Sequence, residues 1–522
     1  MTKICPERFG RAKFETFMKV TMIITMKKQT LLMLCLSAVC MITACADAKD
    51  GTDVTAADTT APDTAAITVG ETEDIAVADV PADADFSGHT FTFLVTGNTE
   101  NNWQKNDFLA PEETGDVLND ARFRRNLAVE ERFGIKIETD EQYGQTKGAG
   151  SGYLTIEKCV MAGDTAYDAG MIAGYDCATL ACAGMLYDLC DMPYIDLSQR
   201  WWDQRVNEDL TINGKLYYTT GDISTADNDA TGAILFNKKI VEDYDLTDPY
   251  ALVRDGKWTI SAMVEMGRGI AADLNGDAKY DKNDRYAAIV WDDTMMGIIN
   301  AAGVKCATVG DDGKLSLTFY NDRLLSMFEQ YRDAYYDDTQ AYAYQRVSYD
   351  ITDPVSMFSN DQSLFFFQLL DLVTYFRDMK TDFGILPLPK LDEQQERYYS
   401  TIGSWHSVFL CAPAVQEDAE RTGIILEALA AESYNTVTPA YYEKTLVGKY
   451  IRDEESEEML DIILSSHVYD LGWFYQVGKY CDEVLYMWMQ KDEDMTSRYE
   501  RREKVAQRDI ERINEAFAQL DT

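Results

Sequence analysis

The chain has 522 residues, 46% hydrophobic and 11% aromatic, and sets 48 Lys and Arg against 89 Asp and Glu, a formal net charge of -41. A nucleic-acid binder needs a basic footprint to displace counterions from phosphates, so this balance excludes nucleic acid as a partner, and it disfavours anionic solutes unless a local basic cleft overrides the net field.

Lys27 and Lys28 precede an apolar run from Leu31 to Ala44. That run is about fourteen residues long, the size of a signal-peptide hydrophobic region and short of the roughly eighteen a membrane span needs. It ends Ile42-Thr43-Ala44-Cys45, which resembles the lipobox of bacterial lipoproteins, where small residues precede the cysteine that receives diacylglycerol. The resemblance implies export, cleavage before Cys45 and lipidation of Cys45, so the membrane is a partner through the lipid anchor only. Residues 1–45 are read as leader and signal peptide, with Met26 as the start. From Ala46 to Asp85 the composition turns to Asp, Thr, Ala and Val with Pro62, Gly70 and Pro81. Such a stretch buries too little apolar surface to offset its ordering entropy, and residues 46–85 are expected to be a disordered acidic tether.

The folded body is expected over 86–522, roughly 430 residues, too many for one ordinary core and suited to two lobes. His89 to Thr96 reads as a strand, Asp116 to Phe133 as a helix stopped by Gly134, and Ile135 to Glu138 as the next strand. A helix near Ile156 to Ala162, a strand at Tyr167 to Ile172 and a helix at Cys177 to Leu186 repeat the cycle. This alternation predicts an α/β fold with mainly parallel sheets flanked by helices, in which ligands bind beyond the carboxyl ends of the strands. Further on, Trp258 precedes a helix over Ile260 to Ile270, and Ala287 to Val290 is strand-like.

Between them lies Asp273-Leu-Asn275-Gly-Asp277-Ala-Lys279-Tyr-Asp281-Lys-Asn-Asp284. Oxygen side chains at loop positions one, three, five, nine and twelve, with the Lys279 carbonyl between them, match the way an EF-hand or dockerin-like loop wraps calcium. Ala278 stands where the turn normally takes glycine, and Asp284 reaches less far than glutamate; an Asx-rich turn explains the same residues without an ion. Structural calcium, with no catalytic role, is the expectation. The last helix, Tyr499 to Leu520, aligns Ile510, Ile513, Phe517 and Leu520 on one stripe suited to packing on a lobe.

Cys159, Cys177, Cys182, Cys190, Cys306, Cys411 and Cys481 contain no C-x-x-C pair and read mostly as buried free thiols, with disulfides left open. The three histidines, His89, His406 and His467, fall in no H-E-x-x-H motif, and neither a G-x-S-x-G elbow nor a phosphate loop is present.

Several segments carry a family resemblance. Asp116-Val-Leu-Asn-Asp-Ala-Arg-Phe-Arg-Arg-Asn-Leu-Ala-Val-Glu-Glu-Arg-Phe-Gly134, Tyr167-Asp-Ala-Gly-Met-Ile172, Gly214-Lys-Leu-Tyr-Tyr-Thr-Thr-Gly-Asp-Ile223, Ile234-Leu-Phe-Asn-Lys-Lys239 and Asp382-Phe-Gly-Ile-Leu-Pro-Leu-Pro389 resemble, in that order, bacterial extracellular solute-binding proteins of the maltose-binding type. The resemblance implies a two-lobed periplasmic-binding-protein-like fold of type II, closing on a hinge around a small solute, expected to be an oligosaccharide. It implies an ABC permease with a separate ATPase as partners, a monomer, and a place at the outer face of the cell membrane. On that pattern lobe 1 would comprise about 86–222 and 356–389, and lobe 2 about 223–344 and 400–522.

Sugar sites pair aromatic faces with hydroxyl-binding carboxylates and amides. Trp405 and His406 in a turn-like loop, Trp103 after the first strand, Trp291 and Asp292 after a later strand, and Asp222 at the first crossing are the expected ligand contacts, whereas Trp201, Trp202 and Trp258 are expected to be structural. A glycosidase, a binding protein for another polar solute, and a surface adhesion protein are the alternatives.

Overall fold

The computed structural model describes residues 75–96, 106–442 and 453–520. The leader, Cys45, most of the tether and Trp103 lie outside the described residues. Two five-stranded sheets organise the body. In the first, Lys136–Glu141, Thr90–Val95 and Ala169–Ala173 run parallel, and Val408–Cys411 and Tyr218–Thr219 complete the edge, Val408–Cys411 lying antiparallel to both its neighbours. In the second, Ser363–Leu369, Tyr286–Val290 and Ala341–Ala343 form the parallel trio, Gly232–Asn237 lies antiparallel to it, and Phe383–Leu386, antiparallel to Gly232–Asn237, runs at the edge in the direction of the trio. In each sheet the antiparallel strand, Val408–Cys411 or Gly232–Asn237, is the one by which the chain arrives from the other sheet, and the edge strand beside it, Tyr218–Thr219 or Phe383–Leu386, is the last before the chain leaves.

Local chemistry sets these elements. Side chains alternate across Thr90–Val95, so Phe91, Phe93 and Val95 enter one core while Leu94 enters the other, as a sheet covered on both faces requires. The helix Val117–Phe133 starts where the Asp116 side chain accepts from the Leu118 and Asn119 N–H groups and stops at Gly134, whose φ of 63° is a left-handed cap. The strand Ser363–Leu369 is buried throughout, three consecutive phenylalanines included.

Two boundaries differ from the sequence expectation. Residues 363–386, expected in lobe 1, pair within the second sheet, while Val408–Cys411, expected in lobe 2, pairs with Ala169–Ala173 in the first, and the helix Ala419–Ala440 packs on Val117–Phe133. A fully apolar strand carries no mark of which sheet it joins; hydrogen-bond pairing decides that. The ordered body also begins before Asp85: Ala76 and Ala78 are buried, and the Ala76 N–H and C=O exchange hydrogen bonds with the Asn435 side-chain amide. Small side chains alternating with Ile75 and Val77 let this segment lie flat on the helix.

The final helix is Met495–Gln519, with Ile510, Ile513 and Phe517 buried against the body. All seven described cysteines are free thiols. Among the described residues no helix is long and apolar enough to cross a membrane.

Candidate functional site

A cavity of about 460 Å³ lies beyond the carboxyl ends of the parallel strands of both sheets. From the first sheet come Lys147, in the loop after Lys136–Glu141, and Tyr175, just after Ala169–Ala173. From the second come Trp291, Asp292 and Asp293 after Tyr286–Val290, Tyr344 and Gln345 after Ala341–Ala343, and Gln368 at the end of Ser363–Leu369. Trp405 and His406 reach in from the segment that crosses to Val408–Cys411. Strand ends are the positions an open α/β sheet offers to a ligand, and here two sets converge. A second hollow of about 690 Å³, lined by Arg205, Asn300, Lys305 and Arg397 among others, meets the end of the short parallel strand His467–Val468 but draws on no strand of either five-stranded sheet.

The aromatic groups are held by polar contacts. The Tyr175 hydroxyl and Ser404 Oγ are 2.8 Å apart, and the Tyr175 and Trp405 rings sit 6.3 Å apart at 57°. The Gln145 amide donates to the Trp405 carbonyl at 2.5 Å, and the Gln368 amide to the Tyr344 hydroxyl at 3.0 Å. Gln345 Oε1 accepts from the Asp292 N–H at 2.7 Å, fixing the carboxylate turn. Burial, and then the neighbouring Asp292 charge, push Asp293 up to about 8, and burial also raises Asp292. Burial pushes His406 down to about 4, so its ring is neutral; His406 Nδ1 stands 3.9 Å from Asp293 Oδ2. Lys147 is ion-paired with Asp482 at the wall. The result is a chamber with aromatic faces, neutral donors and acceptors, and carboxyl groups able to bond hydroxyls.

Of the expected contacts, Trp405, Trp291, Asp292 and His406 meet in this cavity. Trp103 lies outside the described residues. Asp222 does not join them: it accepts from the Thr438 hydroxyl at 2.6 Å and lines a separate hollow with Trp202, because the first crossing turns it away from the strand ends. Lys147, Tyr175, Asp293, Tyr344 and Gln368 were missed. Their signal was their position within a few residues of a strand's end. Trp201, Trp202 and Trp258 are buried; the first two indoles donate to Glu427 at 3.1 and 2.8 Å, and Trp258 donates to the Pro387 carbonyl at 2.8 Å.

The oxygen-rich loop closes on itself. Asp273 accepts from the Gly276 and Ala278 N–H groups, Asn275 from Asp277, Asp277 from Lys279, and Asp281 from Asn283. Asp284, fully buried, accepts from Leu274 and Asp281. Ala278 has a φ of 61°, the left-handed turn that glycine usually supplies at this loop position.

Two sheets joined by crossing segments, with a cavity between their strand ends, define a two-lobed α/β fold. The chain has the fold of the ABC solute-binding proteins of the maltose-binding type. It is similar to a cyclo/maltodextrin-binding protein solved with maltotetraose, at 12% identity, with 83% of this chain and 97% of that chain covered and a TM-score of 0.52. An ABC substrate-binding protein of Listeria monocytogenes in complex with cycloalternan gives 14% identity, 83% and 99% coverage and a TM-score of 0.50. UgpB of Mycobacterium tuberculosis in complex with glycerophosphocholine gives 15%, 81% and 98%, and 0.50. No protein-family model matches the chain, and no curated protein matches its sequence.

Proposed function

We propose that the chain is a lipid-anchored receptor at the outer face of the cell membrane that captures a carbohydrate, an oligosaccharide by preference, and passes it to an ABC permease driven by a separate ATPase. The observation that carries this reading is the cavity of about 460 Å³ in which Tyr175, Trp291, Tyr344 and Trp405 surround Asp292, Asp293 and Gln368. Aromatic faces cover the C–H faces of a sugar, and the planar carboxyl and amide groups bond its hydroxyls. That the fold's relatives are binding proteins supports capture without turnover. Under the same proposal the loop Asp273, Asn275, Asp277, Lys279, Asp281 and Asp284 holds structural calcium.

A thermal-shift screen of neutral glycans, followed by product analysis of each hit, tests the proposal. Stabilisation without product is the expected result. Glycan cleavage, or a complete absence of stabilising glycans, overturns it.

A further inference from the structure

We propose that Asp203, Asp227 and His467 bind a divalent transition-metal ion, zinc in class, at the junction between the two sheets and away from the solute cavity. One oxygen or nitrogen of each residue lies within 4.8 Å of the other two. The three arrive from different parts of the chain. Asp203 caps the helix Gln204–Leu210, its Oδ1 accepting from the Arg205 N–H at 2.9 Å. Asp227 sits on the short helix Ala226–Asp229, along the segment that runs from the first sheet to the second. His467 opens the strand His467–Val468, which pairs with Ser400–Thr401 on the segment that returns to the first sheet.

Two buried atoms aimed at this point have no hydrogen-bond partner, Asp227 Oδ1 and His467 Nδ1. The proton count on the histidine follows from Thr231. Its hydroxyl donates to the Asp227 carbonyl at 2.8 Å, so its one proton is used, and the contact of 3.0 Å between Thr231 Oγ1 and His467 Nε2 requires Nε2–H to donate. In the neutral ring Nδ1 is then a bare lone pair, 3.5 Å from Asp203 Oδ2. Lone pair faces carboxylate, with a second buried carboxylate beside them; a cation placed among the three turns that repulsion into coordination.

The surroundings match a metal's outer shell. Thr231 fixes the imidazole tautomer, and the Tyr469 hydroxyl donates to Asp203 Oδ2 at 3.0 Å, orienting the carboxylate while leaving a lone pair for the ion. Arg205 occupies the other oxygen, Oδ1, at 3.2 Å. The mixed nitrogen and oxygen set selects zinc or a similar ion over calcium and magnesium, which take oxygen ligands. With metal-to-ligand distances of about 2.0–2.2 Å, zinc needs a small inward rotation of the side chains. A hollow of about 290 Å³, lined by all three residues together with Asp222 and Asn228, gives an ion and its water ligands a way in. An ion here joins both crossing segments to the helix start at Asp203.

The competing occupant is a proton, either on Asp227, where burial and then the neighbouring Asp203 charge push the carboxyl well up, or as a second proton on His467. Chelator-treated full-length protein titrated calorimetrically with zinc chloride distinguishes them. The expected result is one zinc per chain, a raised melting temperature, and loss of both in Asp203→Asn and His467→Ala, with Asp273→Asn in the distant loop still binding. Absence of zinc binding, or unchanged binding in both site variants, overturns the proposal. Should the variants fail to fold, the cobalt-substituted wild-type chain decides: d–d bands of a nitrogen and oxygen site support it, and a thiolate charge-transfer band assigns the ion to cysteine and overturns it.

Discussion

The rings of Trp291 and His406 meet at 5.5 Å between centroids, inclined by 59°, although Trp291 follows a strand of the second sheet and His406 leads into a strand of the first. The wall of the cavity is therefore shared between the two sheets. A change in their relative angle alters this contact directly, and a bound solute that touches both residues is sensitive to it.

Trp405→Ala tests the proposed ligand contact apart from folding. Trp405 is half-buried and reaches the cavity from a crossing segment, facing Tyr175. Trp405→Ala is expected to weaken the affinity for any stabilising glycan by about tenfold or more, roughly 1.4 kcal/mol, while the unliganded melting temperature moves by only a few degrees. Titration calorimetry on the two proteins checks this.

Asp293 makes stability depend on pH in a defined direction. Its folded value of about 8 lies above the model-peptide value of 3.8, so between them the folded chain holds a proton that the unfolded chain has released. Its contribution is complete below about pH 4 and is lost as pH rises through about 8. His406, lowered to about 4, acts in the opposite sense and is already complete above pH 7. Asp293→Asn is thus expected to melt higher than wild type at pH 9, with the advantage shrinking toward pH 5. Melting curves across that range read it out, and equal pH slopes for the two proteins would contradict it.

Glu427 serves two indoles at once, accepting from Trp201 Nε1 and Trp202 Nε1 and from the Asp196 N–H. Burial raises it to about 7 in spite of these bonds. Glu427→Leu leaves two buried N–H groups unmet and is expected to cost about 2–4 kcal/mol in urea denaturation, with Glu427→Gln milder because an amide oxygen still accepts one of them.

The order of strands and helices was legible because each element carries its own period and stop signal: Asp116 and Gly134 bound the first long helix within a residue of the expectation. The assignment of strands to sheets was not. Ser363–Leu369 and Val408–Cys411 are both apolar and buried, and only pairing with Gly232–Asn237 or Ala169–Ala173 separates them. The same limit governs the site. Trp291 and Trp405 stood out as aromatic residues in loop settings, but Tyr175 resembles any core tyrosine until Ala169–Ala173 is seen to end beside it. Asp203, Asp227 and His467 are separated by up to hundreds of residues, and no spacing motif joins them.

The loop at 273–284 gives a prediction of its own. Left-handed backbone at Ala278 costs about 1 kcal/mol that glycine avoids, so Ala278→Gly is expected to stabilise the chain by that amount. Calcium added to chelator-treated protein is expected to raise the melting temperature, and Asp273→Asn to abolish the rise. An unchanged melting curve with calcium removes the ion and leaves the Asx turns as the sole organisers of the loop.

Arg125 ties the first crossing to the helix that carries it. The side chain is fully buried, and its guanidinium donates to the Asp107 carbonyl at 2.6 Å, the Ile223 carbonyl at 3.2 Å, Ser433 Oγ at 3.2 Å and Asn126 Oδ1 at 2.9 Å. Burial lowers it to about 10, which still leaves it charged at neutral pH. Burial alone would raise Asp107, but the Arg122 ion pair, the Ser224 hydroxyl and the Thr225 N–H outweigh it and hold the carboxyl below its usual range. Ile223, Ser224 and Thr225 all lie on the segment leading to the second sheet, so this network sets where the chain leaves the first. Arg125→Leu fills the volume but leaves two buried carbonyls without donors beside a buried ion pair, and is expected to destabilise by about 3–5 kcal/mol. Arg125→Lys, with a single nitrogen in place of the planar fork, is expected to recover less than half of that loss. Denaturant midpoints for the three proteins, read with glycan affinity on the folded fraction, test whether the crossing is anchored here: an Arg125→Leu chain as stable as wild type would show that it is not.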